Sequence, residues 1–116
     1  MLRSLVGSEM CIETGQEFNQ EPVVVLSPFR YAEPWQDEFL AKRFDSVEKL
    51  EKYYSRYNEI NDTARRAAVS MEVPCIDLAG TIEGDPRLFY DTLHLNLRGH
   101  KIVSEVLATE LKKILQ

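Results

Sequence analysis

The sequence predicts an α/β fold built on a short parallel sheet, and three observations carry that prediction. Val23 to Leu26, V-V-V-L, is a continuous β-branched run bounded by Pro22 and Ser27-Pro28. A run apolar on both faces suits a central parallel strand covered by helices on both sides. Cys75 to Leu78, C-I-D-L, reads as a second short strand. A long amphipathic helix lies between the two and another closes the chain. The order helix, strand, long helix, strand, loop, helix gives right-handed parallel crossovers.

Taken in order, Leu2, Leu5, Val6 and Met10 recur at helical spacing, which predicts a short amphipathic helix over residues 1 to about 11. Gly7 weakens its interior. Glu13 to Glu21 is polar and reads as a loop. Residues 27 to 44 hold Phe29, Tyr31, Trp35, Phe39 and Phe44, interrupted by Pro28 and Pro34. Pro34 suits the first turn of a short helix. Aromatics beyond a strand's C-terminal end lie where open α/β sheets bind ligands; packing of a long connection explains them equally well. Asp45 and Glu48 make a D-x-x-E start resembling a capping box. Val47, Leu50, Tyr54, Tyr57, Ile60, Ala64, Ala67 and Met71 follow at steps of three or four, and the pattern stops before Val73-Pro74. Tyr53, Tyr54 and Tyr57 read as packing rather than as a platform for stacking bases. Asp77 reads as a turn or cap ligand. Gly80, Gly84 and Asp85-Pro86 mark a loop to Tyr90. Asn96 caps the last helix, on which Ile102, Val103, Val106, Leu107, Leu111, Ile114 and Leu115 form one apolar stripe.

Length and composition narrow the function. A chain of 116 residues holds at most one domain, and 44% hydrophobic with 28% charged residues is the balance of a folded protein. A formal charge of −5 argues against nonspecific nucleic-acid binding, which needs an excess of Lys and Arg to displace counterions. No apolar run approaches the roughly 20 residues of a transmembrane helix. The first ten residues are too interrupted for a signal peptide, so a cytoplasmic location is expected. Cys11 and Cys75 indicate neither a disulfide framework nor a cysteine zinc site, and are expected as reduced, buried thiols.

Asp91 to His100, D-T-L-H-L-N-L-R-G-H, is the most informative stretch. A carboxylate three residues before an imidazole can fix its tautomer and stabilise its cation, while the imidazole takes a proton from a nucleophile. The extended string, leading into a helix, resembles the last sequence block of the SGNH (GDSL-type) serine hydrolases. The likeness extends more loosely from Val23 to Leu115: a strand ending in Ser27-Pro28, a Y-N-E-I-N helix followed by alanine-rich turns, and the V-P-C-I-D-L strand. In wording the chain is most similar to the isoamyl-acetate-hydrolysing esterase branch. The resemblance implies the C-terminal part of a three-layer α/β/α sandwich (flavodoxin-like), residues 1–116 being a single, incomplete domain. It implies ester hydrolysis with His94 as general base and Asp91 orienting it, no cofactor, and a small-molecule or lipid ester as substrate of the complete parent enzyme.

The family's Gly-Asp-Ser nucleophile and G-x-N-D oxyanion asparagine have no counterpart in these residues. Ser8, in V-G-S-E, lacks the preceding acid and sits in helical periodicity. Ser27 ends a strand, but Pro28 has no N–H and stiffens the turn that must aim the hydroxyl. Asn61-Asp62 falls inside a helix, which cannot present the amide as an oxyanion donor. Cys75, in an apolar strand, reads as inert. Asp91, His94 and His100 are all metal-capable, but the six-residue spacing of the histidines disfavours a shared ion, and none is expected. Two readings follow: the acid–base portion of a hydrolase, or a non-catalytic α/β binding or scaffold module. Either has open strand edges for self-association or for pairing with an N-terminal-half partner.

Overall fold

A computed structural model describes residues 2–18, 20–33 and 36–116, with side chains from residue 9 onward. The expectations for Pro34, Trp35 and the side chains of Leu2, Leu5, Val6 and Ser8 lie outside the described residues. The elements are α1 (Leu2–Glu17), β1 (Val24–Leu26), α2 (Glu38–Arg43), α3 (Val47–Ser70), β2 (Cys75–Asp77), α4 (Leu78–Ile82), a 3-10 turn (Pro86–Leu88) and α5 (Leu97–Leu115). The fold is mixed α/β. Strands β1 and β2 pair in parallel, Val24 opposite Cys75, Val25 opposite Ile76 and Leu26 opposite Asp77. The crossover between them is α2 and α3; α3 packs on β1 and against α1, while α5 packs on the 3-10 turn and α4.

Several expectations shift. α1 runs into the first part of the segment read as a loop, as far as Glu17; within it the Thr14 hydroxyl donates to the Met10 carbonyl at 2.8 Å, so this polar residue is satisfied without breaking the helix. The cap of α3 is Ser46, whose Oγ accepts from the Lys49 N–H at 3.2 Å, while Asp45 pairs with the Lys49 ammonium instead. Tyr53, Thr63 and Ala68 are buried on α3 and Ile60 is exposed, so the apolar stripe is rotated from the one read. The supposed loop after β2 contains two short helices. Asp77 caps α4 through Gly80 N–H (2.8 Å), and Asp85 caps the 3-10 turn through Arg87 N–H (3.0 Å).

Two corrections bear on the sheet and the thiols. V-V-V-L is not buried on both faces: Leu26 is buried but Val25 is 41% exposed, although its register partner Ile76 is buried. Paired residues of a parallel ladder share a face, so that face is covered over β2 and open over β1. Cys11 and Cys75 are both exposed, not buried. Local burial still pushes the Cys75 thiol above its ordinary range, so it is not an activated nucleophile.

The core sits between the segment after β1 and the first half of α3. Phe29, Leu40, Leu50, Tyr53 and Tyr54 form one cluster, and Phe29 meets Tyr53 edge-on at 5.7 Å. Phe44 stacks on Tyr53 at 4.7 Å. Phe29, Phe39 and Phe44 beyond β1 therefore serve packing, whereas Tyr31 is exposed, and Tyr53 and Tyr54 are buried rather than offered to bases. A second cluster, Ile82, Leu88 and Phe89 with Leu95, Ile102 and Val103 against it, seats the first half of α5.

Candidate functional site

The Asp91–His94 loop hangs between two short antiparallel contacts. Phe89 and Leu95 form an isolated bridge, and Tyr90 N–H donates to the His94 carbonyl at 3.0 Å. This closes residues 90 to 94 into a tight turn with Asp91 at its start. One carboxylate oxygen, Oδ1, accepts the backbone N–H groups of Leu93 (2.9 Å) and His94 (2.7 Å). The other, Oδ2, faces His94 Nδ1 at 2.7 Å. The three-residue spacing read from the sequence thus produces a side-chain pair, because the Asx turn folds the imidazole back onto the carboxylate.

The electrostatics follow from those contacts. The His94 backbone N–H, then that of Leu93, holds the Asp91 carboxyl below the ordinary carboxylate range, with the imidazole adding to the effect. An ionised carboxylate at Nδ1 puts the neutral ring's proton there and leaves the Nε2 lone pair outward. Among the described residues Nε2 makes no hydrogen bond, and the His94 side chain is 67% exposed. Tyr90 stacks on the ring, with centroids 5.6 Å apart. The arrangement can accept a proton at Nε2 and stabilise the resulting cation through Asp91.

Asn96 is placed as the sequence implies. Its Oδ1 accepts from Gly99 N–H at 2.9 Å, and its Nδ2 donates to the Arg87 carbonyl at 2.8 Å, tying α5 to the 3-10 turn. Gly99 is required here, because a Cβ would lie 2.2 Å from the Leu88 carbonyl oxygen. His100 is exposed, one turn into α5. Among the described residues no group of three His, Cys, Asp or Glu side chains is arranged to hold a metal ion. Ser27 is exposed, and its carbonyl accepts the Asn61 amide at 3.2 Å, which commits Asn61 to the crossover helix. A groove of about 330 Å³ lies at the carboxyl ends of both strands, lined by Phe29, Tyr31, Asn61, Arg65, Asp77 and Gly80; neither Asp91 nor His94 borders it.

Sequence reading missed the support beneath the loop. Arg30 N–H donates to the Thr92 carbonyl at 2.9 Å, and its guanidinium reaches the Phe89 carbonyl at 3.3 Å. That guanidinium is held by Asp37 through Nε–Oδ2 at 2.6 Å and Nη2–Oδ1 at 3.0 Å, and it lies over the Phe39 ring. Tyr53 Oη is 2.9 Å from the Arg30 carbonyl and 3.0 Å from that of Thr92, its one hydrogen shared between them. Only the R-x6-D spacing of Arg30 and Asp37 marked them in the sequence, and such pairs are too common to single out.

Comparison of the chain with protein-family models, curated proteins and solved structures gave no match. Among the described residues no helix is long and apolar enough to cross a membrane.

Proposed function

We propose that Asp91 and His94 are the acid–base half of a Ser-His-Asp hydrolase acting on carboxylic esters, in the C-terminal part of an SGNH-type three-layer sandwich. His94 Nε2 takes the proton of a serine supplied from outside these 116 residues and returns it to the leaving alcohol, while Asp91 locks the tautomer and stabilises the imidazolium. The observation that carries the reading is the carboxylate pinned by two backbone N–H groups at one oxygen and facing Nδ1 at 2.7 Å with the other. In a parent chain carrying a Gly-Asp-Ser serine, a fluorophosphonate probe should label that serine. His94→Ala should remove nearly all turnover with little change in fold, and Asp91→Asn should lower it by roughly 10⁴-fold through loss of the tautomer lock. Full activity in the His94 variant removes the proposal.

A second reading, a non-catalytic binding or scaffold module, draws on the 67% exposure of His94 and on the open face of Val25. It requires that the same His94 variant leave a partner-dependent property unchanged and that no hydrolysis be found in any longer form.

A further inference from the structure

We infer that Tyr53 and the Arg30–Asp37 ion pair are positioning residues for the Asp91–His94 couple, an assignment that rests on the acid–base reading of that couple. His94 is too exposed for packing to hold its ring, and an exposed side chain loses rotamer freedom only where something fixed grips it. The polar grip is Asp91, beside the stacked but exposed Tyr90 ring, and Asp91 is only as fixed as its loop. That loop is anchored on both sides of Asp91. Phe89, two residues before, takes the Arg30 guanidinium on its carbonyl; Thr92, one residue after, takes both the Arg30 N–H and the Tyr53 hydroxyl on its own.

Tyr53 and Asp37 are buried, Arg30 is largely so, and the ion pair braces itself. Arg30 and Asp37 side chains are 12% and 6% exposed. Burial opposes the Asp37 charge, but the Arg30 hydrogen bond and charge, with the N–H groups of Phe39 and Leu40, outweigh it and hold the carboxyl below its ordinary range. Burial pushes the Tyr53 phenol well above its ordinary range, which favours its protonated, donor form. From Asp37 to Arg30, to the Phe89 and Thr92 carbonyls, to Asp91, to His94 Nδ1, each link is a hydrogen bond or the chain itself.

The test is the imidazole tautomer, read from ¹⁵N shifts of the histidine-labelled chain at alkaline pH, with exposed His100 as the reference in the same spectrum. Wild type should show His94 as the Nδ1–H form. Tyr53→Phe keeps the ring packing and removes only the donor. It should move the His94 nitrogens toward the free-imidazole mixture and raise amide exchange at Leu93 and His94 roughly fivefold, the value of about one hydrogen bond. α5 exchange and the His100 shifts should stay put. Arg30→Lys, which keeps the charge opposite Asp37 but loses the fork, should act in the same direction and serves if the tyrosine variant does not fold. Asp91→Asn separates the two claims. If it shifts His94 and folded Tyr53→Phe and Arg30→Lys do not, the positioning role is overturned alone. If Asp91→Asn leaves His94 unmoved, the acid–base reading falls and takes the positioning role with it.

Discussion

Asn96 and Gly99 decide how the acid–base loop meets the last helix. Asn96→Ala loses the cap to Gly99 N–H and the bond to the Arg87 carbonyl together, and should cost about 1–2 kcal/mol in a urea melt. Gly99→Ala should cost more, about 2–3 kcal/mol, because its Cβ forces the first turn of α5 away from Leu88. An alanine at 99 as stable as wild type would show that this turn has room to give. At this scale the sequence was legible wherever partners are close along the chain. Asp91 and His94 find each other, and Asn96 finds its cap partner Gly99, three residues apart, so spacing alone reveals these pairs. Arg30 and Tyr53 find theirs 59 and 39 positions away, and no local pattern encodes such a meeting. The exposure of both thiols was likewise hidden, since an apolar neighbourhood in sequence says nothing of a missing cover in space.

Among the elements, α3 and α5 were the most legible, the short helices after β2 were read as loop, and β1 was found in place but misread in its burial. A helix's hydrogen bonds are its own, so period and cap residues nearly suffice to place it. A strand's burial depends on what lies beside and above it, and Val25 lies open because the described helices do not cover β1 on that side. The rotated stripe on α3 belongs here too: Tyr53 turns inward because Phe29 and Phe44 receive its ring, which periodicity cannot weigh. Asp37, the cap of α2, gives an element-scale prediction. Its carboxyl is depressed in the fold, so its stabilising contribution is present above the ordinary value of 3.8 and is lost as pH falls through the folded value. Asp37→Asn should therefore cost about 3 kcal/mol at neutral pH, leaving the largely enclosed Arg30 without a counter-charge. The difference from wild type should shrink in acid melts; a gap that persists unchanged with pH would mean that ionisation of Asp37 is not what stabilises α2.

The whole molecule is a thin slab, 46 × 32 × 17 Å, with a radius of gyration of 15.7 Å where a compact chain of this length has about 13 Å. Its accessible surface of 8036 Å² exceeds the roughly 6,500 Å² of a compact monomer of this mass. The exposed area includes apolar side chains, Leu111 and Leu115 on α5 being 38% and 79% exposed, and among the described residues each strand of the sheet also has an unpaired polar edge. We expect either association through those edges or a monomer that binds the dye ANS, and light scattering with melts at several concentrations distinguishes them. A compact, dye-silent monomer with a concentration-independent transition would show that this surface needs no cover, and would favour the binding-module reading. The two-stranded sheet also carries a consequence for synthesis. Val24 pairs with Cys75 across roughly fifty residues of intervening chain. At about 5–20 residues per second, β1 leaves the ribosome roughly three to ten seconds before its partner does. Late in that interval α3 can form from local contacts, but V-V-V-L has no ladder to join. A nascent chain stalled between α3 and β2 should therefore be the form most readily captured by a chaperone.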